Sequence, residues 1–366
     1  MRCKSLRTCF IVGILGVLLA LSLVLWMGCE SDVPSKPEVA EETTVYGAPP
    51  QGVIDRVMAI QDRHTPRLMA IPGVVGTATG LGPGNQPAVL VLTEKPGVVG
   101  IPGLLEGVPV IPKVTGEIRA LGKPDNPGKP PKPDPEPEPD PTARFDRPVP
   151  IGVSTGHPAI TAGTIGCRVT DGTNVYALSN NHVYADENLA EIGDSVLQPG
   201  TYDGGVDPDD AIGTLADFEP IKFDGSPNII DAAIALSSVG NLGNATPSDG
   251  YGTPKSNTVA ASVNLAVKKY GRTTGLTKGT VYAINATVNV GYGSGTALFT
   301  NQIVITPGTF SAGGDSGSLV VAQGKGKNKT EDRKPVGLLF AGSQFYTIAN
   351  PIDAVLARFG VTVDGE

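Results

Sequence analysis

The sequence predicts a mostly β protein: a major all-β domain of barrel or sandwich type, preceded by a small α/β domain. Three observations carry this. The 366 residues include 48 Gly and 33 Pro, a mix that favours short strands and frequent turns over long helices. From about Arg147 onward, short apolar runs alternate with Gly, Asn and Asp. Ahead of that region, nine of the twenty residues between Gly122 and Pro141 are proline, mostly alternating with Lys, Asp or Glu, and such a stretch cannot build a core.

The chain exceeds one typical domain, and 40% hydrophobic residues supply an adequate core. A formal net charge of −8 and a pI near 5.0 argue against nucleic-acid binding, which needs a basic surface to replace phosphate counterions.

Taken in order, residues 1–29 read as an export segment: Arg2, Lys4 and Arg7 precede an apolar run from Phe10 to Met27. Gly28-Cys29, followed by Glu30-Ser31-Asp32, resembles a bacterial lipoprotein processing site, which would make Cys29 the acylated first residue. The same run is long enough to span a bilayer uncleaved. Either reading tethers the mature protein to the membrane outside the cytoplasm. Residues 30–51 are polar and form a stalk. Residues 52–121 read as the small α/β domain. In it Val53, Ile54, Val57, Met58 and Ile60 recur at helical spacing until Pro66, and Ala88-Val-Leu-Val-Leu92 has the form of a buried strand. Residues 122–146 are the linker, and its part from Gly122 to Pro141 makes a polyproline spacer reaching up to roughly 60 Å at about 3.1 Å per residue, so the two domains are expected to move independently.

The region 147–366 is the major domain. Strands are expected at Gly163 to Thr170, Asn174 to Leu178, Ile229 to Ala235, Val263 to Lys268, Gly279 to Val290, Gln302 to Ile305, Leu319 to Val321 and Val336 to Phe340. A final helix has Asn350 as its cap, Pro351 in its first turn and Gly360 at its close. Cys167 is the sole cysteine beyond Cys29, so no internal disulfide is expected, and its strand context predicts a buried, inert thiol.

The strongest chemical signal is Ser311-Ala-Gly-Gly-Asp-Ser-Gly-Ser-Leu-Val320, a glycine-rich turn that delivers Ser316 just before a buried strand. Glycines let backbone N–H groups approach a reacting carbonyl oxygen. A serine hydroxyl needs a base, and three histidines are available. His64 lies in the small domain and His157 in a Gly-His-Pro turn. His182, in Leu178-Ser-Asn-Asn-His-Val-Tyr-Ala185, follows an apolar segment at a strand end. A neutral imidazole is held in one tautomer by a buried carboxylate, and Asp231, in apolar Asn228-Ile-Ile-Asp-Ala-Ala-Ile-Ala-Leu236, fits that need. Asp203, Asp207, Asp209 and Asp210 instead read as a solvated acidic turn, without a calcium-loop spacing.

At this point the chain resembles the trypsin-like serine peptidases: chain order His, Asp, Ser, the Asn-His-Val block, the Asp-Ala-Ala-Ile-Ala strand and the Gly-Gly-Asp-Ser-Gly-Ser turn. Within them it is similar to the narrow-leaf-type and related bacterial peptidases, which share a Lys-Tyr-Gly-Arg-Thr-Thr-Gly-type segment, here Lys269 to Gly275. The resemblance covers about residues 147 to 360. It implies a chymotrypsin-like double six-stranded antiparallel β-barrel with a His182–Asp231–Ser316 triad in the cleft and an oxyanion hole from the N–H groups of Gly314 and Ser316. By position, Phe310 and Ser311 would begin the wall of a specificity pocket opposite Phe340, Ala341 and Gly342. The lack of an acid there argues against Lys or Arg specificity. Asp315 would need a cation, for which Arg272 is the candidate by elimination. The substrate would be protein or peptide, with no cofactor and no metal. The competing reading is an inactive peptidase-fold binding module tethered to the cell envelope.

Overall fold

The computed structural model describes residues 49–122, 139–324 and 326–366. The expected export segment, most of the stalk, Cys29 and most of the proline-rich spacer lie outside the described residues. No helix among the described residues is long and apolar enough to cross a membrane.

The first described part contains α1 (Gln51–Met69), β1 (Val74–Leu81), β2 (Pro87–Thr93), β3 (Leu104–Leu105), β4 (Val108–Val114) and β5 (Arg119–Ala120). Helix α1 continues through Pro66, where the sequence suggested it would stop. Its last turn is held by buried Leu68 and by Thr65 Oγ1, which donates to the Gln61 carbonyl at 2.8 Å. Side chains alternate across a strand, so β2 reads as a continuous apolar run because both faces are covered. Val89 and Val91 pack under α1 with Val57, Ile60 and Leu68, whereas Ala88, Leu90 and Leu92 belong to a second core shared with Ala283, Val288, Phe299 and Phe340.

The next group is β6 (Ser154–Thr155), β7 (Gly163–Thr164), β8 (Cys167–Thr170), β9 (Val175–Ser179), α2 (Asn181–Tyr184), β10 (Ser195–Leu197), β11 (Ala211–Phe218), β12 (Pro227–Asn228) and β13 (Ala233–Ser237). The last group is β14 (Ala266–Gly271), β15 (Gly275–Gly291), β16 (Thr296–Thr306), β17 (Leu319–Ala322), β18 (Pro335–Gly342), β19 (Thr347–Pro351), α3 (Ile352–Phe359) and β20 (Thr362–Val363). Six strands form one antiparallel sheet in the order β10-β11-β13-β9-β8-β20. Six more close a ring: β14 pairs β15, β15 pairs β16, and β19, β18 and β17 lead back to β14, every pairing antiparallel. The protein is mostly β with few helices, as the sequence predicted.

The small α/β part does not stand apart. Strand β1 pairs antiparallel with β15, Gly76 opposite Val288 and Gly80 opposite Ala283, so its sheet continues the second barrel's. Buried Gln61 of α1 adds a polar bond across the join, its Nε2 donating to the Asn285 carbonyl at 2.8 Å. This corrects the expectation of independent motion: apolar faces and a strand edge on both sides are satisfied by each other.

Candidate active site

His182 lies in the single turn α2, which the apolar strand β9 leads into through Asn180. Strand β13 pairs with β9 with Ala233 opposite Ser179, and this brings Asp231, just ahead of β13, beside His182, 49 residues earlier. The His182 Nδ1 lies 2.5 Å from Asp231 Oδ2, and the His182 backbone N–H donates to Asp231 Oδ1 at 3.3 Å. Both side chains are buried, a setting in which an unpartnered carboxylate would be costly.

Asp231 is fixed by its main chain as well. Its N–H donates to Asn350 Oδ1 at 3.2 Å, and its carbonyl accepts from Asn180 Nδ2 at 2.7 Å and Asn350 Nδ2 at 3.1 Å. Asn350 was expected to cap the last helix. It makes no capping bond and instead clamps Asp231, while Gly360, at φ 63°, ends the helix as expected. Tyr292, from the turn between β15 and β16, donates its hydroxyl to Asp231 Oδ2 at 2.8 Å. Burial, and then the Asp231 charge, push the Tyr292 phenol well above its ordinary pKa, so it remains a donor. The sequence reading missed Tyr292 because Gly291-Tyr-Gly-Ser-Gly295 has the composition of a plain turn.

Ser316 is buried in the turn that leads into β17. Its Oγ donates to the Phe340 carbonyl at 3.1 Å, its own carbonyl accepts from the Thr164 N–H at 2.8 Å, and His182 Nε2 has no hydrogen-bond partner among the described residues. Gly314 and Gly317 both take φ of 93°, a region that L side chains avoid. A Cβ at Gly317 would lie 2.2 Å from Ser179 Oγ and one at Gly314 2.5 Å from Thr273 Oγ1, so only glycine fits at either position.

Asp315 is fully buried. Its Oδ1 accepts from the N–H groups of Thr273 and Thr274, its Oδ2 from Thr274 Oγ1 and the Ala312 N–H, and Lys269 Nζ lies 3.4 Å from Oδ2. The cation is therefore Lys269 and not Arg272, which pairs with Asp203. The signal was present: adjacent Lys268 and Lys269 on one strand must face opposite ways. Lys268 reaches outward to Asp332 at 3.0 Å, and Lys269 points inward. Burial lowers the Lys269 pKa from its usual value, against the opposing pull of Asp315.

In the acidic turn Asp207 and Asp209 are exposed as expected, whereas Asp203 and Asp210 depart from the solvated reading. Asp203 accepts from Arg272 and from Ser154 Oγ at 2.5 Å, and Asp210, 7% exposed, pairs with Arg144 at 2.6 Å. Among the described residues no group of His, Cys, Asp and Glu could hold a metal ion. His64 and His157 have acid partners of their own, Glu106 at 3.0 Å and Asp194 at 3.1 Å. Cys167 is buried, and burial pushes its thiol pKa far up.

Of the pocket residues named from sequence, Phe310 and Phe340 are fully buried, and Ser311 Oγ shares a hydrogen bond with Thr347 Oγ1 at 2.5 Å. A Cβ at Gly342 would meet Leu121 Cδ1 at 3.1 Å and Ser311 Oγ at 3.6 Å. Leu121 thus enters the space that these residues border. Nothing in the residue pattern around Leu121 marks this.

A family model described as the Nal1 C-terminal domain matches residues 204–348, a stretch that includes Asp231 and Ser316 but not His182. No curated protein matches. Among solved structures, the chain is similar to a glutamic acid-specific serine protease, at 24% identity and a TM-score of 0.43 over 59% of this chain and 100% of that one. It is similar to Protease A of Thermobifida fusca at 18% identity and 0.41, over 60% and 100%. A chymotrypsin of Cellulomonas bogoriensis gives 20% identity and 0.40, over 61% and 100%. The chain's own topology is one six-stranded antiparallel sheet beside a closed six-stranded antiparallel ring.

Proposed function

We propose that the protein is a serine endopeptidase. The observation that carries this reading is the buried His182–Asp231 pair with its unpartnered Nε2, joined to the glycine turn of Ser316 by one dipeptide: Gly122 lies against the imidazole and the Leu121 carbonyl accepts the Gly314 N–H. Ser316 Oγ attacks the substrate carbonyl, His182 takes its proton and returns it to the leaving amine, and Asp231 keeps Nδ1 as the protonated nitrogen. The N–H groups of Gly314 and Ser316 hold the oxyanion. Ser316 Oγ swings from the Phe340 carbonyl to Nε2 when a substrate is aligned, in keeping with catalytic hydrogen bonds that tighten on binding. The wall from Phe310, Ser311, Phe340, Ala341 and Gly342 carries no charge, so the residue before the scissile bond is apolar.

The enzyme works outside the cytoplasm, held to the membrane through residues 1–29, with Cys29 as the acylated start of the mature chain; its intact mass tests this. A fluorophosphonate probe tests the chemistry. With Leu121 drawn out of the space it enters, the enzyme should label and hydrolyse peptides with apolar residues before the cut, and adding Ser316→Ala should abolish labelling and lower turnover by up to about 10⁶. Labelling that persists in Ser316→Ala would count against the peptidase.

A further inference from the structure

The cleft is already occupied by the chain itself. Residues 118–122, which end the first described part, cross the second barrel as an extended strand. Arg119 lies opposite Gly342 and Ala120 opposite Ala341, antiparallel to β18, and the Gly291 N–H donates to the Ile118 carbonyl at 2.9 Å. The Leu121 N–H donates to the Phe340 carbonyl at 3.1 Å, the same oxygen that receives Ser316 Oγ. Two donors on one acceptor make the nucleophile and Leu121 neighbours. The Leu121 carbonyl oxygen accepts the Gly314 N–H at 2.5 Å, so it rests on an N–H group assigned above to the oxyanion. Leu121 packs against the apolar cluster that contains Phe310, with Cδ1 toward Gly342.

The next residue completes the geometry. Gly122 lies so close to the imidazole that a Cβ there would be 2.8 Å from His182 Cδ2 and 3.3 Å from Nε2. Its carbonyl accepts from Thr161 Oγ1 at 2.9 Å. The Leu121–Gly122 peptide therefore has its acyl oxygen on the glycine turn and its amine side against the base, in a bound, half-buried position. Holding reacting groups in that arrangement is worth many orders of magnitude in effective concentration.

We propose that the chain is its own first substrate, cleaving the Leu121–Gly122 bond in cis. This rests on the peptidase reading above and extends it to a defined bond. Ser316 Oγ adds to the Leu121 carbonyl carbon as His182 Nε2 takes the hydroxyl proton. The C–N bond breaks, Gly122 leaves as an amine carrying that proton, and Leu121 becomes an ester of Ser316. Water, deprotonated by His182, hydrolyses the ester to a Leu121 carboxylate and restores the Ser316 hydroxyl. The new carboxylate end stays in the cleft, because β1 and β5 remain paired with β15 and β18. The cut enzyme is therefore product-inhibited until residues 49–121 are displaced.

The test uses the full chain with its own export segment, as wild type, Ser316→Ala and Leu121→Asp, each checked for a cooperative melt. Wild type should yield a fragment beginning at Gly122, still associated with the N-terminal part, at a rate independent of protein concentration. Ser316→Ala should stay intact, also when mixed with wild type. Leu121→Asp, which would bury an unpaired carboxylate against the Phe310 cluster, should cut more slowly by at least about a hundredfold and should open the cleft to the phosphonate. An intact wild type beside a Leu121→Asp variant that labels at Ser316 overturns self-cleavage and leaves the peptidase standing. If wild type stays intact and folded Leu121→Asp does not label, both readings fall. Cleavage at this bond in Ser316→Ala overturns self-cleavage.

Discussion

Asp231 Oδ2 takes two hydrogen bonds, from the His182 ring and from the Tyr292 hydroxyl, and the Tyr292 ring also stands edge-on to the imidazole at 5.8 Å. In the proposed peptidase Tyr292 is thus a positioning residue that acts through the acid. A hydrogen bond to a charged acceptor is worth about 1.5–3 kcal/mol, so Tyr292→Phe should lower kcat by about tenfold to a hundredfold. KM for an apolar peptide should hardly move, because Tyr292 acts on Asp231. Steady-state kinetics on the displaced or opened enzyme decide it, and an equal change in KM would mean that Tyr292 shapes the binding surface. Sequence alone offered His182, Asp231 and Ser316 because each stands in a setting that is odd for its chemistry: a histidine after a buried strand, an acid in an apolar run, a serine among glycines. Tyr292 and Asn350 occupy ordinary settings, a turn and a helix start, and their roles exist only once strands from the two barrels meet.

Strand β14 shows what an element imposes on its residues. Its alternation sends Lys268 to solvent-facing Asp332 and Lys269 into the interior, where it meets Asp315 behind the Ser316 turn and lies 5.9 Å from the Phe310 ring. Removing one member of a buried pair leaves the other charge unpaired, at a cost of about 3–5 kcal/mol. Lys269→Met should therefore destabilise the protein by that amount in denaturant unfolding, and it should slow phosphonate labelling because Asp315 holds the N–H of Ala312 in the same turn. Lys268→Met, which removes a half-buried pair closer to solvent, should change stability by less than Lys269→Met does. Equal effects of the two would show that the inward pair is dispensable. Strands with a dense apolar run, such as β2, β13 and β17, were legible from sequence. Strands β10, β11 and β19 were not, since Ser195-Val-Leu197 is short, Ala211–Phe218 includes Gly213, Thr214 and Asp217, and Thr347–Pro351 ends in polar and proline residues.

At the scale of the whole molecule, a proline-rich spacer suggested two bodies, yet composition records only that the spacer has no core of its own. It cannot report whether the segments it joins pair with each other. The 17 residues of β15 were the overlooked sign, because pairing with β14 and β16 leaves residues 283–288 an edge to offer to β1. That pairing covers Ala283, Ala286 and Val288 with Ala78, Ala88, Leu90 and Leu92. Burial of a leucine or valine side chain is worth about 1.5–3 kcal/mol, so several together approach the roughly 5–15 kcal/mol by which a domain is stable at all. A fragment of residues 142–366 would lose this cover, open β15 as an apolar edge and empty the cleft of Leu121. It should be insoluble or lack the cooperative thermal transition of the full chain, and adding residues 49–121 as a separate peptide should restore the transition. If the fragment alone melts cooperatively at the full-chain temperature, the second barrel is self-sufficient. The shared sheet would then serve to hold residues 118–121 against Ser316, and the fragment should label with phosphonate faster than the full chain.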